Sequence, residues 1–107
     1  MRPIQEIMAE CDELEKQGAN EWQATNQLSD EEFREWYIQD NRRWWDNYGQ
    51  CHNDLPCSRC HSEIESPEQL GSWGGMMYHI PCMISELSSR QLCGDGKLLY
   101  ERLARVF

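Results

Sequence analysis

The apolar residues near the N-terminus repeat at the spacing of an amphipathic helix. Five of them follow the i, i+3, i+4, i+7 pattern: Ile4, Ile7, Met8, Cys11 and Leu14. Acidic residues fill most of the positions between them, so the pattern predicts a helix over residues 3–17 with one buried stripe. Gly18 is the expected stop. Residues 19–28 are mostly polar and predict a loop that Trp22 anchors.

A second and longer helix is predicted from Asp30 to Tyr48. Ser29 and Glu32 have the spacing of a capping box, and Gly49 follows the last predicted residue. At about 100° per residue, one stripe of this helix is aromatic. Its members are Phe33, Tyr37, Trp44 and Tyr48, with Trp36 beside them.

Ile38 and Trp45 share a separate flank of this helix, about 100° from the aromatic stripe. Two explanations are open. Either the first helix or the C-terminal tail covers this flank, or the flank is an interaction surface for a partner protein or a second copy. Trp is favoured as an anchor at such surfaces.

Turn residues and short apolar runs mark the C-terminal half. Residues 50–56 predict a loop, and Gly74-Gly75 predicts the turn of a hairpin over 72–78. A third helix is expected to begin near Pro81 and to end at Gly94. The stripe that it would bury is Ile80, Met83, Ile84, Leu87 and Gln91. Apolar residues in the tail over 97–107 have helical spacing, although a strand over 97–100 fits as well.

Length and charge narrow the class of protein. A chain of 107 residues has the size of one domain with a modest core, and a bound metal would help to stabilise so small a fold. The net charge is −9, and residues 1–49 hold twelve acidic and five basic side chains. An acidic surface repels phosphate backbones and suits a basic protein partner, or mimicry of a nucleic acid.

No apolar run is long enough to span a membrane, and the N-terminus lacks the apolar stretch of a signal peptide, so we expect a cytoplasmic protein.

Four cysteine and histidine residues, types that commonly bind metals, fall into two closely spaced pairs. Cys57 and Cys60 are followed after 18 residues by His79 and Cys82, in the pattern C-x2-C-x18-H-x2-C. Thiolate and imidazole are the ligands that tetrahedral zinc prefers, and two residues between ligands let both reach one ion. The spacing predicts one structural Zn²⁺ at these four residues.

The other cysteines have simpler explanations. Cys11 is expected in the core, and Cys93 is expected to be a packing residue at a helix end. Cys51, followed by His52, is expected to be a loop thiol, with a ligand or oxidation-sensitive role as the alternative. His61 follows Cys60 directly and is a less favoured substitute for His79 as a ligand.

The segment over residues 55–92 resembles treble-clef zinc fingers, in particular the first zinc site of LIM domains and the finger of poly-ADP-ribose polymerases. The resemblance is carried by the four ligands, by Ile64 after the first pair and by Tyr78 before the histidine. It implies a zinc-bound hairpin followed by a helix. A second LIM zinc site and a basic DNA-binding face are both missing, so no function is carried across.

These patterns predict a mainly α fold with a small zinc-bound β-hairpin. Residues 1–49 would form an acidic helical pair, and residues 50–107 a zinc-finger segment of the same compact domain. Four protein ligands close the zinc coordination sphere, so we expect no enzyme. The favoured function is a protein-interaction module, adaptor or regulatory, whose partner is a protein, with homodimerisation also open. Nucleic-acid binding, for which Arg42-Arg43 beside Trp44-Trp45 would serve, is the alternative.

Overall fold

The computed structural model describes residues 1–48 and 55–107, without the side chain of Tyr48. Over these residues the fold is mainly helical, with five α-helices and one two-stranded antiparallel hairpin, so the predicted fold class is confirmed. The predicted helix stop at Gly49 and the predicted loop up to residue 54 lie outside the described residues.

The chain forms two compact units. The first unit comprises Met1–Tyr37 and Gln91–Phe107, and the second comprises Ile38–Arg90. The C-terminal tail thus belongs to the first unit, and the second unit begins within the predicted helical segment, at Ile38. The organisation into segments 1–49 and 50–107 of one domain stays a prediction.

Helix α1 (Ile4–Lys16) forms where the apolar spacing predicts it, and it buries Ile7, Met8 and Cys11. The predicted core position of Cys11 is confirmed, since its thiol is fully buried and donates to the Ala24 carbonyl at 3.4 Å. Burial, reinforced by nearby carboxylates, raises the pKa of this thiol to about 11.

The predicted loop over residues 19–28 is wrong in part, because it contains helix α2 (Glu21–Thr25). Asn20 and Gln23 cap this helix reciprocally: the Gln23 N–H donates to Asn20 at 2.8 Å, and the Asn20 N–H donates to Gln23 at 3.1 Å. A single turn is too short to show a hydrophobic period, so the cap was its only signal. Trp22 is half-buried.

Helix α3 (Asp30–Tyr48) has the predicted bounds and the predicted cap. The Ser29 N–H donates to the Glu32 carboxylate at 3.0 Å, and the Glu32 N–H donates to the Ser29 hydroxyl at 3.1 Å. The aromatic residues of its first half form the core of the first unit: Phe33, Trp36 and Tyr37 are all at most 3% exposed. Trp44, further along the stripe, is half-buried.

Strands β1 (Leu70–Trp73) and β2 (Met76–His79) form the hairpin of the second unit. Gly74 and Gly75 make the predicted turn with φ of 58° and 81°, the left-handed conformation that a two-residue hairpin loop requires. From α3, the buried Asn41 side chain donates to the Leu70 carbonyl at 2.7 Å. This bond fixes the start of β1 to the helix.

Helix α4 (Ile80–Ser88) begins one residue before the predicted Pro81 and directly after the hairpin. Ile80, Met83 and Leu87 are buried as predicted, and Ile84 is half-buried. The prediction that this helix continues to Gly94 is wrong, and Gln91 is exposed beyond its end.

Helix α5 (Gly94–Val106) settles the alternatives for the tail in favour of a helix. Gly94 has a left-handed φ of 62°, a conformation found both where helices end and just before they begin. Here it is the first residue of α5. Cys93 precedes that helix and is exposed, so the prediction of a packing role at a helix end is wrong. Leu99, Arg102 and Leu103 form the buried face.

Candidate metal centre

The first two candidate ligands lie on one tight turn, which we call the knuckle (residues 57–62). The Cys57 N–H donates to the Ser62 carbonyl at 2.8 Å, and the His61 N–H donates to the Cys57 carbonyl at 2.9 Å. His61 adopts a left-handed φ of 64°, which turns the chain back on itself after Cys60. A bridge between Pro56 and Glu63 closes the base of the turn.

The other two candidate ligands lie where the hairpin passes into α4. His79 is the last residue of β2 and precedes the helix, while Cys82 lies in the first helical turn. The Ser58 N–H donates to the Met77 carbonyl at 2.8 Å, and the His79 N–H donates to the Cys57 sulfur at 3.4 Å. These two bonds attach the knuckle to β2 and so bring the pairs together.

The four candidate ligand atoms meet in one cluster. The sulfurs of Cys57, Cys60 and Cys82 and a ring nitrogen of His79 all lie within 4.8 Å of one another. For a zinc–sulfur bond of about 2.3 Å, two sulfurs at corners of a tetrahedron lie about 3.8 Å apart. The cluster therefore needs only a small contraction to bind a single ion. Within residues 1–48 and 55–107 it is the one cluster of Cys, His, Asp and Glu with this arrangement.

The two ring nitrogens of His79 have different neighbours. Nδ1 lies 3.3 Å from the Cys60 sulfur, inside the cluster. Nε2 lies 3.1 Å from the Glu63 backbone carbonyl, which can only accept a hydrogen bond. The carbonyl thus favours the tautomer with the proton on Nε2, which leaves the Nδ1 lone pair directed at the site.

The backbone around the knuckle favours the thiolate form of its cysteines. Burial acts to raise the pKa of the Cys57 thiol. The backbone N–H groups of Cys60, His79 and Arg59 donate to its sulfur, and with them the pKa falls to about 6. The Ser62 N–H lowers the pKa of Cys60. Burial and the sulfurs of the other two cysteines raise the pKa of Cys82 to about 11. A bound cation would turn that repulsion between thiolates into attraction.

The less favoured ligand candidates are His61, Cys51 and His52. His61 is exposed, and the cluster does not include it. Cys51 and His52 lie outside the described residues, so their predicted roles stay predictions. The Glu63 carbonyl was missed, because a backbone acceptor leaves no signal in residue types. Beside the site, Arg59 pairs with Glu86 of α4 at 3.2 Å.

The proposed interaction residues are only partly buried. Ile38 and Trp45 both have intermediate exposure, so each leaves some apolar surface accessible. They lie on one face of α3, about 10 Å apart along its axis. Their role as an interaction surface stays a prediction.

Comparisons with protein-family profiles, with curated proteins and with solved structures gave no match. The class of the protein therefore follows from its own geometry: a small, mainly helical chain whose Cys3His cluster is compatible with a zinc finger. Within residues 1–48 and 55–107, no helix has both the length and the apolarity needed to cross a membrane.

Proposed function

We propose that this protein is a small protein-interaction module that one structural zinc ion stabilises. The observation that carries the proposal is the convergence of three sulfurs and one imidazole nitrogen within 4.8 Å. Three thiolates and an imidazole form a donor set that zinc takes in structural sites. Because all four positions would be occupied by protein, no site is left for substrate or activated water, and we propose no enzymatic role.

Zinc would stabilise the second unit by linking separate parts of its chain. The ligands come from the knuckle, from the end of β2 and from the first turn of α4. The apolar core of this unit is small, and its largest fully buried side chains are Ile64, Leu70, Met83 and Leu87. A metal that joins three elements offsets the limited apolar burial of so short a segment.

A treble-clef fold type is part of the proposal. The order of knuckle, hairpin and helix matches the resemblance found in the sequence. Ile64 and Tyr78, which carry that resemblance, are 1% and 2% exposed, so both serve as core residues next to the ligands.

Protein binding is favoured over nucleic-acid binding by the distribution of charge. The chain has a net charge of −9, which suits a basic partner. Arg42 and Arg43, the residues that the nucleic-acid alternative would use, already form ion pairs with Glu68 and Asp40 respectively. We place the partner surface at the accessible parts of Ile38 and Trp45, with a second copy of the chain as the other occupant.

The zinc proposal is tested by metal analysis of the purified protein. We expect about one zinc per chain by native mass spectrometry, lost in Cys60→Ser because three ligands bind far more weakly. Cys93→Ser is the matched control, since Cys93 is also exposed but lies outside the cluster. Chelation should raise hydrogen exchange in residues 55–92. Full zinc retention by Cys60→Ser would show that the assignment is wrong.

The nucleic-acid alternative is tested by filter binding to duplex DNA across salt concentrations. We expect no complex tighter than about micromolar at physiological salt, because counterion release requires a basic surface. A tight complex with a steep salt dependence would reverse the ranking, and Arg42, Arg43 and Arg59 would be the first residues to replace.

A further inference from the structure

The three sulfurs of the cluster differ in their access to solvent. Cys57 is fully buried, Cys82 is half-buried, and Cys60 is exposed. Zinc-bound sulfur keeps thiolate character, and the rate at which a thiolate meets a dissolved oxidant depends on its exposure. Cys60 is therefore the ligand that an oxidant reaches first.

A partner for an oxidised Cys60 lies on the same turn, since Cys57 belongs to the knuckle as well. The Cys57 N–H and carbonyl are bonded to Ser62 and His61, and these bonds join backbone groups within the knuckle. They do not depend on a metal, so Cys57 and Cys60 stay close when the ion leaves. Cys82 belongs to α4, and a disulfide to it would close a loop of more than 20 residues. Loop-closure entropy favours the shorter connection.

We propose that Cys60 is a site of oxidation by hydroperoxides, and that its disulfide with Cys57 releases the zinc. This inference rests on the proposed zinc site. Cys60 would thus be a zinc ligand that also responds to the redox state of its surroundings.

The reaction proceeds in two steps. The Cys60 thiolate attacks the outer oxygen of the hydroperoxide, the O–O bond breaks, and Cys60 becomes a sulfenic acid while the alcohol, or water, leaves with a proton. The Cys57 thiolate then attacks the Cys60 sulfur, the S–S bond forms, and hydroxide leaves as water after taking a proton. The two sulfurs lose two electrons, the hydroperoxide gains them, and zinc loses two ligands.

The other described cysteines provide the internal controls. Cys11 is fully buried, and burial raises its pKa, so it should stay reduced. Cys93 is exposed and lies outside the cluster, so its oxidation should not release zinc. A difference between Cys93 and Cys60 therefore separates general thiol oxidation from the proposed switch.

The experiment adds hydrogen peroxide to the zinc-loaded full chain and follows zinc with a chromogenic chelator. Free thiols are then alkylated, and disulfides are mapped by mass spectrometry of peptides. We expect stoichiometric zinc release, a Cys57–Cys60 disulfide, and alkylation of Cys82. Dithiothreitol and fresh zinc should restore binding. The Cys93→Ser variant should release zinc at the wild-type rate within about twofold, because Cys93 is no ligand.

Failures of the two proposals are distinguishable. A chain that holds no zinc before peroxide is added contradicts the proposed function. A chain that keeps its zinc while Cys93 becomes oxidised contradicts this inference alone. Zinc release with any pairing other than Cys57–Cys60, or with Cys60 unmodified, also overturns it.

Discussion

Replacement of Arg102 by Met should destabilise the first unit by about 2–5 kcal/mol, because it removes a charged donor from two buried backbone carbonyls, those of Thr25 and Leu28. The Thr25 carbonyl would keep only its bond from the Leu28 N–H. Arg102 lies on α5 and is 5% exposed. Its guanidinium donates to the Thr25 carbonyl at 2.8 Å and to the Leu28 carbonyl. It also lies 4.6 Å from the centre of the Phe33 ring. One side chain thus joins α5 to the connection between α2 and α3.

The magnitude follows from these contacts. Each hydrogen bond from a charged donor contributes about 1.5–3 kcal/mol, and the contact with the ring adds about 0.5–2 kcal/mol. Desolvation of the guanidinium offsets part of this, as the lowered pKa of Arg102 indicates, and burial is the first cause of that shift. Met retains the packing of the aliphatic stem, so the loss is confined to the polar contacts.

The assay is urea unfolding, followed by circular dichroism in buffer that contains zinc. Arg105→Met is the matched control. Arg105 lies one turn further along α5 and pairs with Asp30 at 2.8 Å, but its side chain is 61% exposed, so we expect no measurable change. If Arg102→Met unfolds at the same urea concentration as Arg105→Met, the reasoning about buried carbonyls is refuted.

Three further predictions concern other parts of the chain. Gly71→Ala should lower stability by about 1–3 kcal/mol, because the added Cβ would lie 3.0 Å from the Met83 sulfur. Thermal melting measures this loss, which should shrink when Met83 is also replaced by Ala. An equal loss in both backgrounds would exclude the clash with Met83. The pKa of Glu32 lies at about 2, lowered first by the Ser29 N–H and then by Arg2. Its contribution to stability should thus be complete above about pH 4.3 and disappear as the pH falls towards 2, whereas a carboxyl NMR titration with a midpoint near 4 would contradict this assignment. Trp45→Ala should preserve melting and zinc content but weaken association in light scattering; an unfolded variant would instead make Trp45 a core residue.

The Cys3His cluster shows how much of the candidate metal site could be predicted from the sequence. Within each pair, two candidate ligands at close spacing need only local geometry to converge, so the four candidates could be named without a structure. The contacts that hold the two pairs together could not be predicted from the sequence. They include the knuckle's hydrogen bonds to β2 and the Glu63 carbonyl behind His79, which are backbone contacts that any residue type permits.

The helices show the same division. The apolar period of α1 and the capping box of α3 are encoded in adjacent residues, so their bounds were predicted within two residues. The single turn of α2 has no period, and the ambiguous Gly94 concealed the break before α5.

The sequence by itself determined the helical periodicity, the hairpin turn and the two pairs of candidate ligands, because each depends on residues close together in the chain. Only the tertiary structure decided that a basic residue of the tail, Arg102, would be buried. Its carbonyl partners at Thr25 and Leu28 are more than 70 residues away, and a charged side chain predicts exposure until such partners are known. The same holds for Cys60, whose exposure beside the buried Cys57 depends on how the knuckle packs against the hairpin, which the spacing of the two cysteines does not encode.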